Sequence, residues 1–186
     1  MFFLGIKLEI EGNLDESCDL ILINHQSMLD IIVMEHLHSR NIAWVAKKEI
    51  TDLFFFGHII KAPRMISINR ENKAGLIHLL SEAKDRLSKG RPIAMFPEGT
   101  RSDGTYIGEF KAGAKMVGNK FNLKVQPVVM FNTRNIVNSQ KMEASPGVVK
   151  VIYLKPVVAS KDTSWYEDCE KNMKEVFEKE YKNYVS

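Results

Sequence analysis

Hydrophobic and polar positions change period along the chain, and each period predicts a type of secondary structure. Ile6, Leu8 and Ile10 alternate with other residues, and this two-residue period predicts a half-buried strand. Residues 20–23 are apolar without interruption, which is typical of a strand buried on both faces. Pro127 lies within a further apolar run and predicts a sheet edge, a bulge or a strand end there. The other β-rich runs predict strands at residues 42–46, 65–68, 93–96, 125–131 and 148–154.

Between these strands, apolar residues recur every three to four positions and predict helices. The clearest case is 74–87, where leucine and alanine form one stripe and Gly90 supplies a stop. Further helices are predicted at residues 28–37, 112–121 and 162–184. This alternation predicts an α/β fold, with a central mixed, largely parallel sheet flanked by helices, in a single domain over residues 1–186.

The composition is that of a globular domain. Of 186 residues, 45% are hydrophobic and 26% charged, which excludes disordered, collagen-like and disulfide-scaffold classes. The net charge of +3 is too small to require nucleic acid, and no basic stripe with interleaved aromatic residues is present. Cys18 and Cys169 lie far apart and outside any CxxC pair, so we expect two lone thiols in a reducing compartment.

No segment of the sequence has the length of a transmembrane helix. The longest apolar runs, Met1–Ile6 and Leu53–Phe56, are far shorter than the roughly 18 to 20 residues that a spanning helix needs. Charged residues follow the first run almost at once, so it is not a signal peptide. We therefore expect that this chain does not span a membrane.

Residues 24–30 place chemically active side chains between a buried strand and a helix. Ligands of α/β proteins bind at the carboxyl ends of strands, so this position favours a functional site. His25 precedes the helix, and Asp30 can lean back toward its imidazole. A carboxylate on one ring nitrogen leaves the other nitrogen to act as a base. An alternative stays open, because Ser27 and Asp30 also fit a helix-capping pattern and His25 could be an ordinary loop histidine.

The segment 96–102, Phe-Pro-Glu-Gly-Thr-Arg-Ser, follows another buried strand. Gly99 permits a tight backbone, Thr100 offers a hydroxyl, and Arg101 offers a planar fork suited to phosphate. Proline, glycine and serine are common in turns. A simple turn does not require the glutamate and the arginine, however, so a functional role is favoured.

Positive charge is concentrated in the middle of the chain. Residues 40–73 contain seven basic and three acidic residues, a balance of +4, whereas 161–186 have a balance of −2. A solvated face would explain this, but Lys47 and Arg70 also each follow a predicted strand. With Arg101 and the histidine–aspartate pair, these cations predict one pocket that combines a base with a phosphate clamp.

In this order, the segments resemble the four motifs of the glycerolipid acyltransferase family, specifically its bacterial 1-acyl-glycerol-3-phosphate acyltransferases. The first motif, NHxxxxD, is matched by Asn24, His25 and Asp30, and the third, FPEGTRS, is matched throughout 96–102. The remaining two motifs are matched by Lys47-Lys48-Glu49, Phe56-Gly57 and Arg70, and by Val125-Gln126-Pro127-Val128. The resemblance covers roughly residues 5–155.

The sequence departs from this family in two respects. Arg64 stands where the second motif usually has glycine, and Asn69 stands where it usually has aspartate, which bears on the acceptor pocket. Bacterial members usually also carry an N-terminal membrane-embedding segment, of which at most Met1–Leu4 is present. The resemblance therefore implies an acyltransferase domain without that segment, located at the cytoplasmic face of the inner membrane, either peripherally or through the missing segment.

The resemblance further implies transfer of a fatty acyl group from a thioester of coenzyme A or acyl-carrier protein to the hydroxyl of lysophosphatidate. The product would be phosphatidate, and neither a cofactor nor a metal is expected. His25 would be the general base and Asp30 would orient it. Glu98 would orient Arg101 or bind the glycerol. The implied substrate-binding residues are Lys47, Arg70, Glu98, Gly99, Thr100, Arg101 and Pro127.

Other functions remain open at this stage. The same chemistry could serve another lysolipid or glycerol 3-phosphate as acceptor. A covalent route through Ser27 ranks below direct attack, and a phosphate-ester hydrolase that uses His25 and Asp30 is a weaker alternative. An alternative of another class is a non-catalytic module that binds anionic lipid surfaces through residues 40–73.

Overall fold

A computed structural model of the protein describes residues 5–47, 65–68, 73–138, 141 and 143–185. The strands are β1 Ile6–Glu11, β2 Leu20–Ile23, β3 Ala43–Lys47, β4 Ile66–Ile68, β5 Ile93–Met95, β6 Lys124–Phe131, β7 Val137–Asn138, β8 Glu143–Ala144, β9 Gly147–Tyr153 and β10 Val157–Val158. The helices are α1 Leu29–Leu37, α2 Lys73–Ser88, α3 Ala112–Phe121, α4 Thr133–Ile136 and α5 Trp165–Val185. Every predicted strand and helix is present with small shifts at its ends, whereas α4, β7, β8 and β10 were not predicted.

The central sheet has the strand order β1-β9-β6-β2-β5-β3-β4, and β10 also pairs with β6. Strands β2 to β6 run parallel to one another, whereas β1 and β9 run in the opposite direction. Helices connect the parallel strands, because such strands need a crossover: α1 leads from β2 to β3, α2 from β4 to β5, and α3 from β5 to β6. The predicted mixed, largely parallel sheet flanked by helices is confirmed.

Strand β2 lies at the centre of the core. Its residues alternate between two hydrophobic clusters, with Leu20 and Leu22 in one and Ile21 and Ile23 in the other. Residues of α2, α3 and α5 belong to the first cluster, and residues of α1 belong to the second. All four β2 side chains have no solvent exposure, as the continuous apolar run predicts.

Pro127 lies in an interior strand, so of the three predicted alternatives (a sheet edge, a bulge or a strand end) the sheet edge is wrong. β2 borders β6 on one side, while β9 pairs with residues 128–131 and β10 with residues 124–125. The proline falls between these last two ladders. Its carbonyl accepts a hydrogen bond from Leu154 N–H on that side (3.0 Å), and its nitrogen faces the same gap. The missing N–H therefore leaves both ladders intact.

Strand β1 is less buried than its alternation predicts. Ile6 is buried and Leu8 partly buried, and both belong to the second cluster, but Ile10 is 53% exposed. The cluster covers only the first part of this strand, which pairs with β9 at the border of the sheet. The predicted half-buried strand is present, but only its first half contacts the core.

The C-terminal helix α5 has one apolar and one charged face. Phe177 is buried and stacks on Phe131 of β6 with ring centroids 4.4 Å apart. At the border of the apolar face, Lys174 binds Glu170 one turn away (2.6 Å). Among the residues that the structure describes, no helix combines the length and apolar character needed to cross a membrane.

Both thiols are buried and unbridged, as expected from their spacing. Burial raises the pKa of Cys18 to about 11 and that of Cys169 to about 12. Because the thiolate is the reactive form, neither thiol is activated as a nucleophile.

Candidate active site

The segments that follow the parallel strands meet at one edge of the sheet. Residues 24–30 follow β2, residues 96–111 follow β5, and residues 132–136 follow β6. A cavity of about 500 Å³ opens between them. The residues that line it are His25, Ile31, Trp44, Val45, Ala46, Met65, Phe96, Gly99, Thr100, Arg101, Ser102, Asp103 and Arg134.

His25 and Asp30 form a direct pair at this cavity. Nδ1 of His25 lies 2.8 Å from Oδ2 of Asp30, whose side chain is fully buried, while the histidine side chain is 13% exposed. Because a carboxylate only accepts hydrogen bonds, Nδ1 carries the proton, and in the neutral imidazole Nε2 then has the lone pair. The structure thus joins the two residues that the sequence paired and leaves one ring nitrogen able to accept a proton.

The same carboxylate also holds the backbone that leads into helix α1. Oδ2 of Asp30 accepts hydrogen bonds from the backbone N–H groups of Gln26 (2.8 Å) and Ser27 (2.9 Å). These donors precede the helix, whose N-cap residue Met28 has no side-chain cap. One oxygen therefore contacts both the histidine and the segment before the helix.

The Ser27 hydroxyl is committed to the backbone. It donates to the carbonyl of Val137 (2.6 Å) and accepts a bond from the N–H of Leu29 (3.2 Å). Ser27 is also only 2% exposed. A covalent route through this residue would have to break the bond to Val137 before the oxygen could attack.

Aromatic stacking fixes the plane of the His25 imidazole. Phe96 stacks on it with ring centroids 3.7 Å apart and planes 11° apart. Trp44 in turn stacks on Phe96 with ring centroids 5.3 Å apart, and its indole N–H donates to Glu35 (2.6 Å). The ring is thus held in its plane by Phe96 and along its Nδ1 edge by Asp30.

Glu98 ties two loops together beneath the cavity. Its Oε1 accepts the backbone N–H of His25 and its Oε2 accepts that of Gly108, each at 2.7 Å. A Cβ at Gly108 would lie 3.1 Å from Oε2, so this close approach favours glycine. Glu98 is 4% exposed, and burial raises the pKa of its carboxyl above the ordinary value. The hydrogen bonds that the structure describes for this side chain thus go to the backbone.

The loop after β5 folds back on itself and onto the first segment. Gly99 has a φ of +77°, a conformation that disfavours side chains, and its N–H bonds to Phe96 O (3.1 Å). Pro97 occupies the second position of this turn, a position that proline favours. Its carbonyl accepts a hydrogen bond from Lys111 N–H (2.8 Å). Ser102 N–H bonds to the carbonyl of His25 (2.8 Å). This loop therefore carries Thr100 and Arg101 to the cavity beside His25.

The cavity is lined by two kinds of residue. The apolar ones are Ile31, Trp44, Val45, Ala46, Met65 and Phe96. The polar ones are Thr100, Arg101, Ser102, Asp103 and Arg134. His25 also lines the cavity, so the space suits a molecule with an apolar chain and an anionic group.

Two residues of this site escaped sequence reasoning. Thr133 donates from its hydroxyl to Oδ1 of Asp30, and Arg134 lines the cavity with Nη1 3.5 Å from Ser102 O. Both follow β6, and polar residues directly after a parallel strand are the signal that singled out the other segments.

The remaining predicted site residues are placed as follows. Lys47 ends β3 at the same sheet edge, although its side chain lies outside the described residues, as does Arg70. Lys48, Glu49, Phe56, Gly57, Arg64 and Asn69 likewise lie outside the described residues. Pro127 is buried within β6 and does not line the cavity. Within the described part of the chain, no three His, Cys, Asp or Glu side chains cluster as metal ligands would.

This site and fold belong to a known class. Residues 6–131 match the family described as Acyltransferase, and the chain is a member of that family. It is 41% identical over 182 residues to a 1-acyl-sn-glycerol-3-phosphate acyltransferase of Helicobacter pylori, an alignment that covers 95% of this chain and 76% of the relative. It is 31% identical to a lyso-ornithine lipid O-acyltransferase of Brucella abortus, covering 70% of this chain and 51% of that protein.

The fold agrees with a solved structure. The crystal structure of the 1-acyl-sn-glycerophosphate acyltransferase PlsC from Thermotoga maritima superposes with a TM-score of 0.75 at 24% identity. The match covers 98% of this chain and 74% of that one. At this level of identity the likeness concerns the fold, and it confirms the arrangement of sheet and helices.

Proposed function

We propose that this chain transfers a fatty acyl group from an acyl thioester to the free hydroxyl of 1-acyl-glycerol 3-phosphate, giving phosphatidate. The observation that carries the proposal is the His25–Asp30 pair at a cavity lined by apolar side chains and by two arginines. The apolar side chains suit an acyl chain, and the arginines suit a phosphate. The similarity to the Helicobacter pylori protein supports the same acceptor.

In this mechanism Nε2 of His25 takes the proton of the acceptor hydroxyl while that oxygen bonds to the thioester carbonyl carbon. The tetrahedral intermediate then collapses, the carbon–sulfur bond breaks, and the thiolate leaves with the proton from the imidazolium. The products are phosphatidate and a free thiol, and the imidazole returns to its neutral form. Asp30 balances the charge of the imidazolium, and general-base catalysis of this kind typically contributes about 10²- to 10⁴-fold.

The acceptor phosphate would bind the two arginines that line the cavity. Arg101 and Arg134 both line the cavity, and their segments are joined where Arg134 approaches Ser102 O. A guanidinium can bind phosphate through two parallel hydrogen bonds, which fixes the position of the hydroxyl as well as the affinity. Lys47 and Arg70 remain predicted members of the same clamp.

The substrates suggest where the protein works. Lysophosphatidate is a membrane lipid, and the basic stretch of residues 40–73 suits a surface of anionic lipids. We propose that the protein acts at the cytoplasmic face of the membrane, with coenzyme A or acyl-carrier protein as the carrier of the acyl group. No metal takes part in the proposed chemistry.

The test is a turnover assay with a panel of acceptors. The protein is mixed with an acyl thioester and lysophosphatidate, glycerol 3-phosphate or lyso-ornithine lipid, and products are identified by mass spectrometry. Phosphatidate as the main product is expected. Preferential turnover of lyso-ornithine lipid or glycerol 3-phosphate would overturn the acceptor assignment.

The same mixtures distinguish the other classes of function. Release of inorganic phosphate without phosphatidate would indicate a hydrolase. Binding to anionic liposomes without turnover, unchanged in His25→Ala, would indicate a non-catalytic lipid-binding module.

A further inference from the structure

The carboxylate of Asp30 is held at both of its oxygens, by different parts of the chain. Oδ2 accepts three hydrogen bonds, from Nδ1 of His25 and from the backbone N–H groups of Gln26 and Ser27. Oδ1 accepts the hydroxyl proton of Thr133 at 2.5 Å. Thr133 lies 103 residues from Asp30 in sequence and is fully buried. The last member of this network therefore comes from the segment after β6.

We infer that Thr133 is a positioning residue that orients His25 through Asp30. The terminal torsion of an aspartate side chain is soft, so the hydrogen bonds to its two oxygens set the carboxylate plane. The donor on Oδ1 restrains this torsion together with the three donors on Oδ2. The direction of Oδ2 sets the direction of the imidazole, and small errors in the position of a base are costly for proton transfer.

The backbone around Thr133 is held in place for this role. The side chain of Asn24 binds both backbone groups of Met130, donating to its carbonyl (3.0 Å) and accepting from its N–H (2.7 Å). Asn132 then turns the chain with a φ of +68°, a left-handed conformation that asparagine tolerates well. These bonds fix the end of β6 against the end of β2, and His25 directly follows Asn24.

Gln26 completes the polar chain behind the base. Thr133 Oγ1 lies 3.2 Å from the Oε1 position of the Gln26 amide, and the Nε2 position has no partner among the described residues. A hydroxyl has one proton, and the carboxylate of Asp30 attracts it more strongly than a neutral amide oxygen does. With the amide turned over by 180°, Gln26 would donate a hydrogen bond to Thr133, and Thr133 would donate one to Asp30. All donors in this chain would then point toward the carboxylate.

The inference rests on the proposed acyl transfer for its kinetic test. Thr133→Val removes the hydroxyl and keeps the shape of the side chain, whereas Thr133→Ser keeps the hydroxyl and removes a methyl group. We expect kcat to fall about 10-fold in Thr133→Val, with the KM for the acceptor nearly unchanged, because a buried bond to a charged group is lost behind the base. Thr133→Ser should restore most of the kcat.

A matched control makes the same substitution at a distance. Thr163 donates its hydroxyl to the carbonyl of Ser160 at the protein surface, so Thr163→Val should leave both kinetic constants unchanged. If Thr133→Val does not fold, Thr133→Ala provides a second variant without the hydroxyl. An equal loss in Thr133→Ser and Thr133→Val would assign the effect to the methyl group and overturn the inference.

A spectroscopic measurement separates this inference from the proposed function. The His25 Nδ1 proton, bonded to a carboxylate, gives a proton NMR signal at low field that His25→Ala identifies by its loss. We expect this signal to move in Thr133→Val and to stay in place in Thr133→Ser. An unmoved signal in folded Thr133→Val, or an unchanged kcat, would overturn the role of Thr133. Failure of the wild-type protein to produce phosphatidate would overturn only the proposed function.

Discussion

The two ends of the parallel strands both carry polar networks, and Arg40 at one end and Asp30 and Glu98 at the other bind the backbone in opposite ways. At the amino end, the Arg40 guanidinium donates to backbone carbonyls, and at the carboxyl end, the two carboxylates accept from backbone N–H groups. The connectivity contributes to this difference, since crossover helices begin near the carboxyl ends of strands and end near the amino ends. The start of a helix leaves N–H groups unpaired and its end leaves carbonyls unpaired.

Arg40 joins three segments at the amino end. It donates to Glu16 O (2.9 Å), Cys18 O (3.2 Å) and Gly90 O (2.9 Å), and it pairs with Asp19 (2.9 Å). Gly90 lies two residues after the end of α2, so one of these carbonyls lies close to a helix end. These contacts fasten the starts of β2, β3 and β5 to one another.

At the carboxyl end, Asp30 and Glu98 play the corresponding part by binding backbone N–H groups. The difference is His25, which presents a nitrogen with a lone pair at a cavity. A high density of hydrogen bonds therefore does not identify an active site. An active site is identified by a reactive atom that is held in position and is still able to react.

The largest expected effect is the loss of that nitrogen. His25→Ala should lower kcat by about 10²- to 10⁴-fold, since it removes the general base. The thermal midpoint of unfolding should change far less than the activity. His36→Ala, on the exposed face of α1, is the matched control and should retain full activity. Intact turnover in His25→Ala would refute the base assignment.

The next effect concerns the two arginines that line the cavity at the carboxyl end. Arg101→Gln and Arg134→Gln should each raise the KM for lysophosphatidate by about 10-fold or more, because a charged hydrogen bond to phosphate is lost. Acceptors without phosphate should be less affected. Steady-state kinetics with both acceptor types measure this, and an unchanged acceptor profile in both variants would reject the clamp.

Arg40→Gln should show the opposite behaviour, with lost stability and retained chemistry. We expect the free energy of unfolding to fall by about 1–2 kcal/mol, since three backbone carbonyls and the Asp19 carboxylate lose a donor. Urea unfolding gives this value, and kcat should stay near that of the wild type. Arg40→Lys should recover only part of the loss, because an ammonium lacks the planar fork. A large fall in kcat in stably folded Arg40→Gln would show that the two ends are coupled.

Much of the fold could be predicted because periodicity reports burial. The uninterrupted apolar run of β2 and the leucine stripe of α2 each fixed an element and its environment. The order of helices and strands then implied the sheet edge where the site lies. Short elements such as α4 and β10 carry too few residues for any period, so they could not be predicted.

The site was predictable only in part, for a similar reason. The pairing of His25 with Asp30 is local in sequence, and helix geometry suffices to foresee it. The bonds from Thr133 to Asp30 and from Gly108 to Glu98 depend on tertiary packing across 103 and 10 residues. For Glu98, the sequence suggested arginine or glycerol as partner, whereas the structure shows two backbone amides.

The smallest expected effect distinguishes the two ends by pH. Burial raises the pKa of Glu98 above its ordinary value of 4.5, so its contribution to stability is greatest below that pH and is lost as the pH rises through the raised pKa. Lys124 and Ser17 lower the pKa of Asp15 at the amino end from 3.8 to about 2, so its contribution is present above 3.8 and is lost as the pH falls. Urea unfolding at a series of pH values gives the free energy of unfolding of each variant. The difference between wild type and Glu98→Gln should shrink as the pH rises, whereas the difference between wild type and Asp15→Asn should grow. A difference for Glu98→Gln that grows with pH would mean that its two N–H bonds outweigh its burial.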